Sequence, residues 1–500
     1  MYMLLTASAD TYITDKIVDG SRSTSSNVGR AGTLDLFKLY DETVSGSSPV
    51  IELSRILIKF DLSEIISLTS SLLNPNDTSF KARIRLKSVS TGLPVPYNFT
   101  VSAFPLARSF SEGYGRDVSA YSDIGSCNFL SSSVGTSWAV SGASAYGSIS
   151  DNNIDYYASG NLGSGLVSLE SNQYFENGNE DLFIDVTRVI SSTLAGTINN
   201  NGFRISFSGS QETDDVTRFV KRFASRHVIE SSLRPRLEIS FDDSIDDSHE
   251  NFYFGSTGSL FLKNYVGSTI ANIMSQSSEI VGSNCMLLTI STGSWSTTIS
   301  ASQAPAGTSF ARGLYTADAY ISAQDSRVVS GTITLAQHVN SSGSIIFNET
   351  WRSIDRSLTY LASHLTCSLP LRSAFSELSR ELIIKATNSL PSYNIGKTYK
   401  VKVFAYDPDY EPSATRVQKP VKSVIPSSVK YRVRVDGTDE IYIPFDSGTR
   451  LSSDSSGMFF NMRVDGLPTG KLFVVDYLVE DRGSERVVND RGFKFKVEEI

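Results

Sequence analysis

Apolar and polar residues alternate at every second position in short runs along most of this 500-residue chain. Arg83-Ile84-Arg85-Leu86, Phe203-Arg204-Ile205-Ser206-Phe207 and Tyr399-Lys400-Val401-Lys402-Val403-Phe404 are examples, and clusters of Gly, Ser, Asn and Asp separate them. A period of two sends one set of side chains into a core and the other into water, as half-buried antiparallel strands require. The predicted fold class is therefore all-β: antiparallel β-sandwich domains of jelly-roll or Ig-like type in series, with a few short helices. Arg55 to Phe60 alternates only loosely, as a strand deep in a sandwich does, which makes Phe60 a predicted core residue. Tyr431-Arg432-Val433-Arg434-Val435 leads through Asp436-Gly437 to Ile441-Tyr442-Ile443, a predicted hairpin, and Asp465-Gly466 repeats the turn signal.

Helical signals are few. Asp185-Val186-Thr187 predicts a turn or two of helix running to Ala195, and residues 214–222 are a second candidate. Phe375, Leu378 and Leu382 have helical spacing, but Leu382-Ile383-Ile384 is equally strand-like, so that segment stays open. The acidic polar run 242–250 cannot bury itself and reads as an exposed linker. A weaker division near Ser363 to Ser368 leaves four expected segments: a sandwich at 1–242, the linker at 243–250, a sandwich at 251–365 and an Ig-like sandwich at 366–500. Pro408, Pro412, Pro420 and Pro426 predict a long loop within the last block.

Composition narrows the function classes. Apolar residues are 40% of the chain and charged residues 20%, enough hydrophobic surface to fold and too little charge for a disordered tail. The net charge is -8 and the cations are scattered, which argues against nucleic-acid binding. The first eight residues are too short and too lightly charged for a secretory signal, and no apolar run of about 18 residues occurs, so no membrane insertion is expected. Cys127, Cys285 and Cys367 lie too far apart for a disulfide framework or a zinc knuckle and read as buried reduced thiols.

Candidate chemistry is sparse. The histidines His227, His249, His338 and His364 accompany no nucleophile elbow. Glu112, Asp117, Glu176, Glu180 and Asp185 could supply the paired carboxylates of glycoside cleavage, but solvated loop carboxylates are the commoner explanation. Asp151, Asp155 and the run 242–247 could hold calcium, yet lack EF-hand spacing, so a metal stays unassigned. No enzyme activity, catalytic residue or cofactor is expected. Trp138, beside Ala139-Val140, reads as core.

Ordered pieces of the first 242 residues resemble the DNRLRE-type β-sandwich domains, a family of secreted polysaccharide-binding proteins and phage virion proteins. The pieces are Ala9-Asp10-Thr11-Tyr12-Ile13, Ser26-Asn27-Val28-Gly29, Leu34-Asp35-Leu36, Arg55 to Ser63, Glu112-Gly113-Tyr114-Gly115 with Trp138 downstream, Ile184-Asp185-Val186-Thr187, Phe223-Ala224-Ser225-Arg226 and Pro235-Arg236-Leu237-Glu238-Ile239. The second half is similar to virion proteins of tailed phages in Gly448-Thr449-Arg450-Leu451-Ser452, Gly457-Met458-Phe459-Phe460 and Gly466-Leu467-Pro468-Thr469-Gly470. These resemblances imply a virion structural protein of the tail, baseplate or collar, assembled in a host cytoplasm and contacting other virion proteins and copies of itself. They also imply an alternative, a carbohydrate-binding adhesin contacting host surface glycan through Tyr114, Tyr156 and Tyr157. For the structural role, Tyr431, Val433, Phe459, Phe460 and Tyr477 are the expected interface anchors, because apolar alternation is strongest around them.

Overall fold

The computed structural model describes all residues except 42–49, 70–71, 91, 93, 120–124, 164, 268, 276–277, 307–308, 371–380, 409–422, 455, 482 and 500. Phe375 and Leu378 of the ambiguous segment, and Pro412 and Pro420 of the predicted loop, lie outside the described residues. Strands make up 51% and helices 8%, so the all-β assignment holds.

One long strand, Tyr2–Thr14, organises the N-terminal region. Its first residues pair with Arg236–Ser240, and the rest pair with Val50–Phe60 after a register shift between Ala7 and Ala9. The strand thus belongs to two sheets. On one side follow Val50–Phe60, Phe203–Phe207, Phe99–Pro105 and Ser171–Phe175; on the other follow Arg236–Ser240, Lys81–Leu86 and Leu182–Asp185. The two sheets enclose a core of Phe60, Phe99, Phe175, Phe207, Ile56, Ile84, Leu237 and their neighbours. Thr33–Asp41 and Arg218–Ala224 pair with each other at one edge.

Residues 214–222 are where local reading and tertiary structure part. The helix is shorter and earlier, Gly209–Thr213, and Arg218–Ala224 is a strand. The reason is pairing: Phe223 and Ala224 find partners in Leu34 and Thr33, and burying Val220 and Phe223 on the sheet outweighs a weak helical pattern. The other helix does form, Thr187–Leu194, with Val189 and Ile190 turned inward.

Seven strands between Phe252 and Ser368 form a single sheet over Trp295, Trp351, Tyr315 and Phe347, with the helix Leu335–Ser342 packed against it through Leu335 and Val339. The strands from Ile383 to Glu498 make a four-stranded and a five-stranded sheet around one shared core. Their shared core includes Tyr393, Phe473, Phe493 and Phe495, with Tyr431 stacked on Phe460 at 4.1 Å between centroids. The hairpin joining Ser428–Val435 to Ile441–Ile443 forms, with Gly437 in the left-handed region at φ 76°.

The acidic run departs from expectation. It is not a free joint: Asp247 is buried, and residues 245–247 run beside Ser453, with hydrogen bonds of 3.2 Å from the Asp247 amide to the Ser453 carbonyl and 2.8 Å from the Ser453 amide to the Ile245 carbonyl. Arg450 neutralises Asp246 at 2.6 Å. Charge in this run is matched by partners that only the fold brings near.

Phe60 is 1% exposed within the first core. Phe60→Ala should cost about 3 to 5 kcal/mol through lost burial and the cavity left behind, read as a lower denaturant midpoint at unchanged slope.

Candidate functional site

Four segments far apart in sequence converge at one end of the first sandwich, around Asp10, Asn27, Glu112 and Arg226. Asn27 is fully buried and uses both faces of its amide. Its Nδ2 donates to the carbonyls of Glu112 at 2.8 Å and Cys127 at 2.7 Å, while Oδ1 accepts from the amides of Gly29 at 3.1 Å and Gly115 at 2.8 Å. The loop 112–115 approaches so closely that a Cβ on Gly115 would lie 1.6 Å from the Asn27 carbonyl oxygen, which only glycine avoids. This clamp fixes the backbone from which Glu112 extends.

Glu112 is the hub. Its Oε1 accepts from the Asp10 amide at 2.9 Å and from Arg226 Nε at 2.6 Å, and its Oε2 accepts from Arg226 Nη2 at 2.7 Å. His227 Nε2 stands 3.2 Å from Oε1. Asp10, 1% exposed, accepts the Arg226 amide on Oδ2 at 2.6 Å, whereas its Oδ1 has no hydrogen-bond partner. Burial drives the Asp10 carboxyl up to about 7, the Arg226 amide opposes that shift, and the neighbouring Glu112 adds to it. The three ligand atoms of Asp10, Glu112 and His227 lie within 4.8 Å of one another. Sequence reading flagged Glu112 and His227 separately; their meeting with Asp10 spans more than a hundred residues and left no local signal.

A second buried ionic cluster locks the chain at the start of the middle region. His249 lies in the short turn Ser248–Glu250. Its Nδ1 contacts Asp247 Oδ1, and its Nε2 contacts Glu349 Oε2 at 3.0 Å. Glu349 is fully buried and accepts from Trp351 Nε1 at 2.5 Å. Burial alone would lower the His249 pKa, but the hydrogen bonds to Asp247 and Glu349 outweigh it and raise it to about 10. The imidazolium is thus an ionic bolt.

The other candidate carboxylates do not gather into one cleft. Asp155 is buried and accepts amides from Ala139, Val140 and Ala145, while Asp151, Asp117 and Asp185 each accept an amide two or three residues away. Glu180 accepts the amides of Glu176 and Asn177. Trp138 is buried and donates to the Asn128 carbonyl. Cys127 and Cys367 are buried, but Cys285 is only half-buried, a correction that follows from its place just before the strand Met286–Thr292.

The expected interface anchors require correction. Tyr431, Val433, Phe459, Phe460 and Tyr477 are at most 6% exposed, and all but Phe459 belong to the core shared by the four- and five-stranded sheets. Their strong alternation is the mark of a strand between two sheets, where the apolar side is claimed by the chain's own core. Phe459 instead meets Lys400 and Lys263, whose ammonium groups lie 3.7 and 4.9 Å from its ring centroid. Of the three candidate glycan contacts, Tyr114 is well exposed with Arg30 stacked on it, and Tyr156 and Tyr157 are half-buried.

No known protein family matches this chain, and no curated protein matches it. Among solved structures, a chimeric titin Z1Z2 tandem is similar at 6% identity with a TM-score of 0.14, covering 50% of this chain and 93% of that one. A putative membrane anchored protein from Corynebacterium diphtheriae is similar at 8% identity with a TM-score of 0.13, covering 99% and 97%. Likeness at these scores carries no argument. Among the described residues no helix is long and apolar enough to cross a membrane.

The His249 bolt has a defined pH dependence. Its folded pKa lies above the ordinary value of 6.5, so its stabilisation is full below that value and is lost as pH rises through about 10. The urea midpoint of the intact chain should fall across that window, and His249→Leu should remove that part of the pH dependence while lowering the midpoint at pH 6.

Proposed function

We propose that this chain is a structural component of a tailed-phage virion, in the tail, baseplate or collar, acting through interfaces with other virion proteins and with copies of itself rather than by catalysis. The observation that carries this reading is the outer face of the middle sheet. Cross-strand register aligns Ser296, Ser291, Asn348 and His364 in one row and Thr298, Thr289, Thr350 and Ala362 in the next. Beside them Ile346 is more than half exposed. Two rows without a carboxylate, ammonium or guanidinium are unusual on a surface whose charge is otherwise well dispersed, and interface cores are depleted in charge.

The joints between regions support a scaffold role as well. Tyr2 and Leu4 leave the first sandwich to enter the third core, and Lys263 of the middle sheet reaches Asp454 at 3.5 Å. A chain fastened this way holds its binding faces at fixed spacing. The resemblance of its first 242 residues to DNRLRE-type sandwiches, and of its second half to phage virion proteins, sets the context.

A second reading, host-glycan binding, draws on one specific feature. Tyr146, Tyr156 and Phe104 form a row of rings, with centroids 6.1 and 4.8 Å apart, and the Arg204 guanidinium lies 4.6 Å from the Tyr156 centroid. Tyr146, the exposed ring of the three, can stack on a sugar, and Tyr156 belongs to this row while Tyr114 and Tyr157 do not.

Electron microscopy of the intact particle tests the first reading. The middle face should be buried against another protein over more than about 1,000 Å², and Thr350→Lys should block incorporation without lowering the thermal midpoint of the isolated chain. A chain touching no other protein would overturn it. Glycan binding by the purified chain, abolished by Tyr146→Ala, would favour the second reading instead.

A further inference from the structure

We propose that Asp10, Glu112 and His227 bind one divalent metal ion of the zinc class, which staples three distant segments of the first sandwich. The three residues come from the strand Tyr2–Thr14, the glycine-bounded loop 112–115 and the turn that follows the strand Arg218–Ala224. Their ligand atoms already lie within 4.8 Å of one another, the span that ligands around one ion occupy when each bond is about 2.0 to 2.4 Å. No local motif joins them.

The independent observation is Asp10 Oδ1. This oxygen belongs to a side chain 1% exposed and meets no donor, although buried polar atoms are nearly always partnered. Leaving a carboxylate oxygen dry and unpaired is costly, and a cation beside it removes that cost. His227 Nε2 lies 3.2 Å from the Glu112 carboxylate, whose Oε2 has room for a further partner.

Arg226 does not fill the place of the ion. A carboxylate has roughly four acceptor sites, and Glu112 Oε2 receives only Arg226 Nη2. The guanidinium therefore holds Glu112 in orientation, as outer partners of metal-bound carboxylates do. Two oxygens and one imidazole nitrogen suit zinc, which takes nitrogen readily, better than calcium, which takes oxygen alone.

The test uses the full chain, stripped with a chelator and dialysed, titrated with zinc chloride by calorimetry and, separately, with calcium chloride. One zinc ion per chain should bind, more tightly than calcium. At a hundredfold excess over Kd the first unfolding transition should rise by about 5 to 10 °C. Asp10→Asn and His227→Ala should each weaken binding by at least the roughly 10- to 100-fold that the loss of an outer partner costs. Cobalt substitution should give visible absorption bands that disappear in His227→Ala. If Asp10→Asn fails to fold, as judged by circular dichroism, the surface-accessible His227→Ala decides the matter alone. Failure of the parent chain to take up zinc, or uptake at full strength by a folded variant, would overturn the proposal.

Discussion

The strand Tyr2–Thr14 is the constraint on which the rest of the structure depends. A strand can pair on two sides and present two faces, and this one uses all four. It closes both sheets of the first sandwich, supplies Met3, Ala7 and Tyr12 to one core, and sends Tyr2 and Leu4 into another. The register shift near Ala7 makes this geometrically feasible, because an extra residue bends a strand and increases its twist. Tyr2 also donates to Glu238 at 2.7 Å, so even its polar end is satisfied inside the joint.

Buried or half-buried charge pairs tie several segments of the fold together. Arg55 bridges to Glu212 in a bidentate contact with both distances at 2.9 Å, Lys38 and Arg218 both reach Asp214, and Arg432 and Arg434 share Asp476. Such pairs add little net stability over apolar packing but cost heavily if one partner is lost. They therefore enforce one arrangement of strands over alternatives, which matters in a sheet-rich chain where a slip of one residue inverts every face. The His249 bolt does the same for the start of the middle region.

The functional readings rest on surfaces of different character. The middle sheet offers two rows of uncharged side chains on its outer face, whereas the first sandwich offers clustered rings near Tyr156 and a polar knot at Glu112. A scaffold protein needs the first property and is indifferent to the second.

Local sequence determined the strand content, because alternation depends only on neighbours two residues apart, and it determined the turn at Asp436-Gly437 and the helix near Thr187 for the same reason. It also marked Phe60 and Trp138 as interior. What it could not decide was which side of an alternating strand faces the chain's own core and which faces a partner: Phe460 and Tyr477 carry the strongest pattern and are core, while Phe459, on the opposite face from Phe460, is covered by Lys400 and Lys263. Nor could it show that the acidic run 242–250 is neutralised by Arg450 and ordered along Ser453, or that Asp10 meets Glu112 and His227. Those outcomes depend on pairings across one hundred residues or more, and only the folded chain brings such partners within bonding distance.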